Sequence, residues 1–332
     1  MHEWMFRNID DGSRLSDIVI PGSHDAGMWC HYSKAGTLKQ PPSASVVTQD
    51  LSINHQLRAG YRMFDLRIYT GPGGALHCGH FPELFKRRGK TDPVLGGFGA
   101  SLEGVLQQVQ VFMSSVGTRE TVILKFSHIK TGNRREVVRT VARTLDQYLY
   151  NPHRQPDTIG NIPLGRLRGK VLAVYESKFQ DALRTLPLNR RKAIVCRNEK
   201  GKSGWNRITS LQKARVLILR GEYSNKRQHK DVSKKQFANA KNWWIKCQGK
   251  PECRGELMQI YWTSTFNPLG GSPLWKSNIR TNTTPLWERR GRADLEDLIG
   301  NYRPNIVITD FASENKARFI LNCAYWVPRR DG

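Results

Sequence analysis

The chain is short of acid. Against 53 lysines and arginines it sets only 28 aspartates and glutamates, a formal net charge of +25 over 332 residues. That imbalance excludes a near-neutral surface and predicts attraction to anionic partners: acidic lipid headgroups, nucleic acid or another polyanion. The plain alternative is a basic protein that is merely well solvated. Long apolar runs are missing too. No window approaches about eighteen uninterrupted apolar residues, so nothing is expected to span a bilayer. The start, MHEWMFRNIDDGSRLS, lacks the basic segment and apolar stretch of a secretory leader. The expectation is a cytoplasmic protein, or one exported without such a leader, that meets a membrane from the side. Cys30, Cys78, Cys196, Cys247, Cys253 and Cys323 have no zinc-ligand rhythm. Cys247 and Cys253 flank QGKPE and are spaced to close a small loop under oxidising conditions; a reduced pair is the equal alternative, since a chain this long needs no staples. Internal repeats and low-complexity segments are absent.

What is present concentrates between residues 15 and 80. LSDIVIPGSHDAGMW, YRMFDLRIY and ALHCGH are apolar runs that stop at ionisable residues: His24 and Asp25, then Asp65 and Arg67, then His77 and His80. A parallel barrel presents a site in this way, its interior filled by Val, Ile and Leu and its chemistry collected where strands end. Two imidazoles and a guanidinium form a kit for phosphodiester cleavage. One imidazole accepts a proton from the nucleophile, the other donates one to the leaving oxygen, and the arginine holds the charge that builds on phosphorus oxygens. Alternation over residues 61–69 puts Met63, Asp65 and Arg67 on an inward face and Phe64, Leu66 and Ile68 on an outward one, with Asp65 steadying Arg67.

IPGSHDAG, then FDLRI about forty residues on, then a GH step, resemble the catalytic half of the phosphatidylinositol-specific phospholipase C-like phosphodiesterases. SLEGVLQQVQVFM and ETVILKFSH extend the likeness, and NIVITDF returns to it near the end. The resemblance implies a single TIM-type (β/α)8 barrel, distorted and carrying basic loop insertions, with residues 15–130 as the catalytic half and residues 165–327 as the more divergent one. It implies cleavage of a phosphodiester in an anionic phospholipid such as phosphatidylinositol. His24 would be the general base supported by Asp310, Arg67 the phosphorane-stabilising cation, and His80, paired with Asp25, the general acid; His77 is the alternative acid. In metal-dependent animal members acidic calcium ligands occupy the second strand and an asparagine follows the first histidine. Asp25 and Arg67 stand at those places here, so the resemblance is to the metal-independent bacterial type, with no required metal or cofactor.

Along the rest of the chain, residues 17–20 are the expected first strand, broken by Pro21-Gly22, with Gly22 supplying a backbone conformation that side chains resist. Residues before 16 should cap the barrel floor through Trp4, Met5 and Phe6. ALHCGH is taken as strand three, residues 121–127 as strand four and KVLAVYES as the next, with either KAIVCRN or, better placed, RVLILRGEY after it. MQIYWTST and residues 305–311 complete the set. Lys125, Glu176, Arg220 and Tyr261 are the candidate headgroup contacts. Lys86-Arg87-Arg88 beside Phe81, Leu84 and Phe85 form a basic, apolar rim suited to peripheral contact with an anionic membrane. The stretch NKRQHKDVSKKQFANAKNWW could bind polyanions beside Trp243 and Trp244, and a non-catalytic lipid or nucleic-acid binder on the same barrel is the alternative function, not favoured.

Overall fold

The structure is a computed structural model, and it describes residues 1–33, 46–81, 96–127, 133–152, 157–187, 192–199, 216–250, 253–264 and 278–325. Its strands are β1 (Ile20–Ser23), β2 (Tyr32–Ser33), β3 (Met63–Leu66), β4 (Ile68–Thr70), β5 (Leu76–His80), β6 (Gly97–Ser101), β7 (Thr121–Phe126), β8 (Lys170–Glu176), β9 (Ile194–Glu199), β10 (Val216–Arg220), β11 (Glu256–Trp262) and β12 (Ile306–Thr309). Eight of them close a barrel in the order β1-β12-β11-β10-β9-β8-β7-β3, every neighbouring pair parallel. Helices such as Leu102–Met113, Arg134–Leu145, His229–Cys247, Arg289–Tyr302 and Glu314–Tyr325 connect them. The architecture is the (β/α)8 barrel.

The period of two along each strand sorts the core. Ile20, Met63, Ile123, Leu172, Val174, Ile194, Leu217, Leu219, Leu257, Tyr261, Ile306 and Ile308 form one cluster inside the barrel. Their neighbours Phe64, Leu66, Val122, Leu124, Ala173 and Tyr175 pack outward under one set of helices, and Met258, Ile260, Trp262 and Val307 under another. The helix Leu102–Met113 starts as its residues require: the Ser101 hydroxyl accepts from the Gly104 N–H at 3.1 Å, and Leu102, Val105, Leu106, Val109, Phe112 and Met113 are all buried.

Several strands differ from expectation. Pro21 does not end β1. The N–H of Ile20 bonds to the carbonyl of Asn305, just before β12, so by alternation the missing N–H of Pro21 faces the other side, where β3 has not yet begun. Gly22 is needed for room, since a Cβ there would stand 3.0 Å from Ile308 and 3.1 Å from Ile306 inside the barrel. ALHCGH is not a barrel strand. As β5 it joins a four-stranded sheet, β2-β6-β5-β4, whose pairings are antiparallel, and both KAIVCRN and RVLILRGEY enter the barrel as β9 and β10. The extended run from residue 61 splits at Arg67, β3 staying in the barrel and β4 turning into the small sheet. The basic stretch after β10 is largely the helix His229–Cys247, and Cys247 is bridged to Cys253. The basic rim at residues 82–95 lies outside the described residues.

At the opposite end Trp4 and Met5 close the floor, while Phe6 lies on the surface under the guanidinium groups of Arg119 and Arg168. A fully buried ion pair fixes that plug. Arg62 Nε meets Glu120 Oε2 at 2.8 Å, and the Glu120 carboxylate also accepts the N–H groups of Met5 and Phe6. Removing one partner strands the other charge in the core, so Glu120→Ala should lose roughly 3–5 kcal/mol of stability. Urea unfolding checks this, and an unchanged midpoint would show that the plug does not depend on the pair.

Candidate active site

The inward positions that follow the last apolar side chain of each strand converge at the C-terminal mouth. Ile20 and Gly22 lead to His24, Met63 to Asp65 and Arg67, Ile123 to Lys125 and Ser127, Leu257 and Gln259 to Tyr261, and Ile306 and Ile308 to Asp310. His24 and Asp25 are sequence neighbours and would point to opposite sides of an extended chain. Asp25 instead adopts a left-handed backbone, φ 43°, which turns both side chains toward one cavity. Asp25 Oδ2 then lies 3.5 Å from His24 Nε2.

The first imidazole has a defined tautomer. His24 Nδ1 donates to Asp310 Oδ1 at 2.9 Å, and Arg67 Nη2 donates to His24 Nε2 at 3.0 Å, so the lone pair of a neutral ring sits on Nε2 and faces the cleft. Arg67 Nε lies 2.7 Å from Asp25 Oδ1, but its N–H is not aimed at that oxygen; the contact is an ion pair rather than an aligned hydrogen bond. Arg67 therefore pairs with Asp25, and the expected support from Asp65 is not direct. Asp65 instead accepts from Ser127 at 2.6 Å and Tyr223 at 2.9 Å and sits 3.6 Å from Lys125. The Tyr223 ring stacks on Tyr261 at 4.0 Å and carries the Arg67 guanidinium 5.4 Å from its centroid.

His80 enters from the small sheet. Its Nδ1 donates to the Val46 carbonyl at 3.1 Å, and its Nε2 lies 3.8 Å from Asp25 Oδ2. His77, one face away on β5, turns its Nδ1 to Gly99 O and its ring to Phe98. Of the two candidates, His80 is the one beside Asp25.

Four further residues sort as follows. Lys125, 3 % exposed, donates to the Tyr261 hydroxyl at 3.0 Å, so both belong to the layer beneath the cleft. Glu176 ends β8 on the inward face of Leu172 and Val174, half-buried at the rim. Arg220 was expected at the mouth and is not there. Leu217 and Leu219 take the inward positions of β10, which leaves Arg220 outward in a bidentate pair with Glu256, at 2.6 and 2.9 Å. The same parity carries the inward face on through Gly221 to Tyr223, a residue that sequence reading passed over. Gly221 is irreplaceable there: φ is +109° and a Cβ would stand 1.9 Å from Gln259 O. Gln49 and Thr48, also passed over, hold the His24-Asp25 turn by donating to the carbonyls of His24 and Asp25.

Burial opposes a charge on His24, but Asp25 and Asp310 outweigh it and raise the ring's pKa above the ordinary histidine value. At His80 burial wins: with Arg67 and His24 adding to it against Asp25, the pKa is lowered. Burial would raise the pKa values of Asp25 and Asp65, yet Arg67 and the neighbouring histidines hold the first below the usual carboxylate range, and Lys125 and Arg67 hold the second below it. His24, Asp25 and Asp65 are close enough to form a cation site. The guanidinium of Arg67 already supplies a cation to that group, 2.7 Å from Asp25 and 3.0 Å from His24 Nε2, and these donors do not fit a metal beside it.

The model of the phosphatidylinositol-specific phospholipase C X domain matches residues 21–177. The matched segment, a little under half of the chain, is similar to that X domain. A 1-phosphatidylinositol phosphodiesterase of Listeria monocytogenes is 28% identical over 193 residues, 57% of this chain and 52% of that protein. The PI-PLC X domain-containing protein 3 of Danio rerio is 29% identical over 150 residues, 38% of this chain and 41% of that protein. The chain thus spans about half, or less, of the length of the curated relatives it matches. Among solved structures, the phosphatidylinositol-specific phospholipase C from Listeria monocytogenes superposes with a TM-score of 0.60 at 19% identity, covering 97% of this chain and 98% of that one, a likeness of fold.

The two imidazoles of this phospholipase C-like site should titrate apart, His24 keeping its proton to higher pH than a free histidine and His80 losing its own at lower pH. Ring resonances followed by NMR across pH 4–9 check this, and the reverse order would contradict the electrostatics above.

Proposed function

We propose that the protein cleaves the phosphodiester of an anionic phospholipid such as phosphatidylinositol, in the manner of a phospholipase C, at the cleft formed by His24, Arg67 and His80. The observation that carries the reading is the hydrogen-bonded setting of His24: Asp310 accepts from Nδ1–H, and the Nε2 lone pair points into a cleft that also holds one guanidinium and a second imidazole. The 1-phosphatidylinositol phosphodiesterase matched from Listeria monocytogenes supports the substrate class.

Arg67 donates to the atom that must act as base. A phosphoryl group binding beside it draws the guanidinium onto its own oxygens, since a full anion is the better acceptor, and frees Nε2. His24 then removes the proton of the headgroup hydroxyl next to the phosphate as that oxygen attacks phosphorus. Arg67 holds the charge on the equatorial oxygens, and His80 Nε2 gives its proton to the departing diacylglycerol oxygen. The products are a cyclic phosphodiester and diacylglycerol. His80 must be protonated to serve, and burial lowers its pKa; substrate charge arriving beside it pushes that pKa up, so the acid is armed by what it acts on. Asp65, Lys125, Tyr223 and Tyr261 brace the cleft from below. Apolar and basic groups on the mouth's loops would make the peripheral membrane contact.

Incubation with phosphatidylinositol vesicles in the presence of a chelator, read by 31P NMR, tests chemistry, substrate class and metal independence together. His24→Ala and His80→Ala should each lose about a hundred- to ten-thousandfold in turnover. Near-normal turnover in either variant removes that residue from its role, and no release of a cyclic phosphate from any anionic lipid removes the reading itself.

A further inference from the structure

Behind Asp310 sits an ionisable group that the chemistry above does not use. Lys316, in the first turn of the helix Glu314–Tyr325, is half-buried, and its Nζ donates to the main-chain oxygen of Asp310 at 2.8 Å. Its ammonium is packed among aromatics, 4.8 Å from the Trp287 ring centroid and 6.0 Å from that of Phe311. A methionine or leucine would fill such a place without the penalty of burying an amine. What the amine adds is a charge and a hydrogen bond at the turn that carries the partner of His24.

That turn is unusual in its backbone. Phe311 follows Asp310 with φ 49°, left-handed for a bulky side chain, and its N–H bonds to Thr48 O at 2.7 Å. Thr48 in turn donates from its hydroxyl to Asp25 O at 3.1 Å. The Asp310 carboxylate is held by His24 on one oxygen and by Thr283, at 3.4 Å, on the other. Lys316 thus clamps the carbonyl while three other residues fix the rest.

Resting on the reading of His24 as base, we infer that Lys316 is a positioning residue: it holds the Asp310 turn in its left-handed exit and, as a positive charge behind that carboxylate, limits how tightly His24 keeps its proton. Asp310 must be strong enough to fix the imidazole tautomer, yet every increment of its negative potential also stabilises the imidazolium and withdraws the base. The charged groups facing Lys316 are Asp310 beyond β12, Asp50 ahead of the helix Ile53–Arg58, and Arg280 on the helix Ile279–Thr283. Those facing His24 are Asp25, Asp310, Arg67, Asp65 and His80, with Tyr223 and Tyr261 packed beside its ring. Burial and Arg280 bring the Lys316 amine down to about 8 against the pull of Asp310 and Asp50.

The test is the titration of His24 itself, by ring NMR of the whole chain without substrate, in the wild type, Lys316→Met and Lys316→Arg. Loss of the charge should move the His24 titration to higher pH in Lys316→Met and leave it nearly in place in Lys316→Arg. The acid limb of kcat/KM on phosphatidylinositol vesicles should move with it, several-fold less activity at pH 6 with little change at pH 8. In the wild type the same coupling should appear as a second inflection of the His24 resonance near pH 8, absent from Lys316→Arg, and this readout stands even if Lys316→Met does not fold. An unmoved His24 titration in folded Lys316→Met, or no second inflection in the wild type, overturns the inference. If His24 moves as expected but no lipid is cleaved, the coupling stands and the proposed reaction falls.

Discussion

One guanidinium holds the cleft together. Arg67 lies against Asp25 and His24, within the field of Asp65 and over the ring of Tyr223, and its charge helps to keep both carboxylates ionised. Two carboxylates this deeply buried would not both stay ionised without nearby cations. With Arg67 and Lys125 among them they do, and Asp25 in turn raises the pKa of His24. The arrangement is a charge network whose members are individually unfavourable in a low-dielectric site and stable only together. It keeps a permanent cation, Arg67, beside Asp25 and His24 at the mouth.

The barrel provides this network cheaply in structural terms. Each strand needs only to exchange apolar for polar side chains at its last inward positions, and closure brings those positions to one mouth. The other end can then be made rigid: Trp4 and Met5 plug it, and the Arg62–Glu120 pair locks the plug to the strands. Backbone strain is kept to the mouth, at Asp25 and Phe311, each directly after a residue whose side chain must enter the cleft. There the surrounding hydrogen bonds, from Thr48 and Gln49 to the His24-Asp25 turn and from Lys316 to Asp310, over-determine a conformation that L residues rarely adopt.

His80 stands apart from this plan. It arrives on an antiparallel strand of an appended sheet, so the distance between the two imidazoles depends on how that sheet docks rather than on barrel geometry. The two histidines also sit in opposite electrostatic states, one favoured as a cation and one as a neutral ring, although both are buried. The difference is one of partners: His24 has a carboxylate on either side of its ring, while His80 has Asp25 at a longer distance and a main-chain carbonyl on the other nitrogen.

The sequence by itself determined the barrel class, the inward face of Met63, Asp65 and Arg67, the helix at Leu102–Met113 with its Ser101 cap, and the identity of His24, Arg67, His80 and Asp310 as residues to watch. These are local facts, legible because side chains alternate along a strand and repeat along a helix, and because ionisable groups at the end of apolar runs are rare. Only the tertiary structure decided which charge answers which. Asp25 rather than Asp65 pairs with Arg67, because a left-handed turn swings Asp25 inward; Arg220 leaves the site, because Leu217 and Leu219 already hold the inward places; ALHCGH leaves the barrel, because it pairs antiparallel with strands of the small sheet. Tyr223 and Lys316 went unnoticed for the same reason. Their partners, Asp65 and Asp310, are 158 and 6 residues away along the chain, and what joins either pair is a fold that brings a loop or a helix turn to the end of another strand.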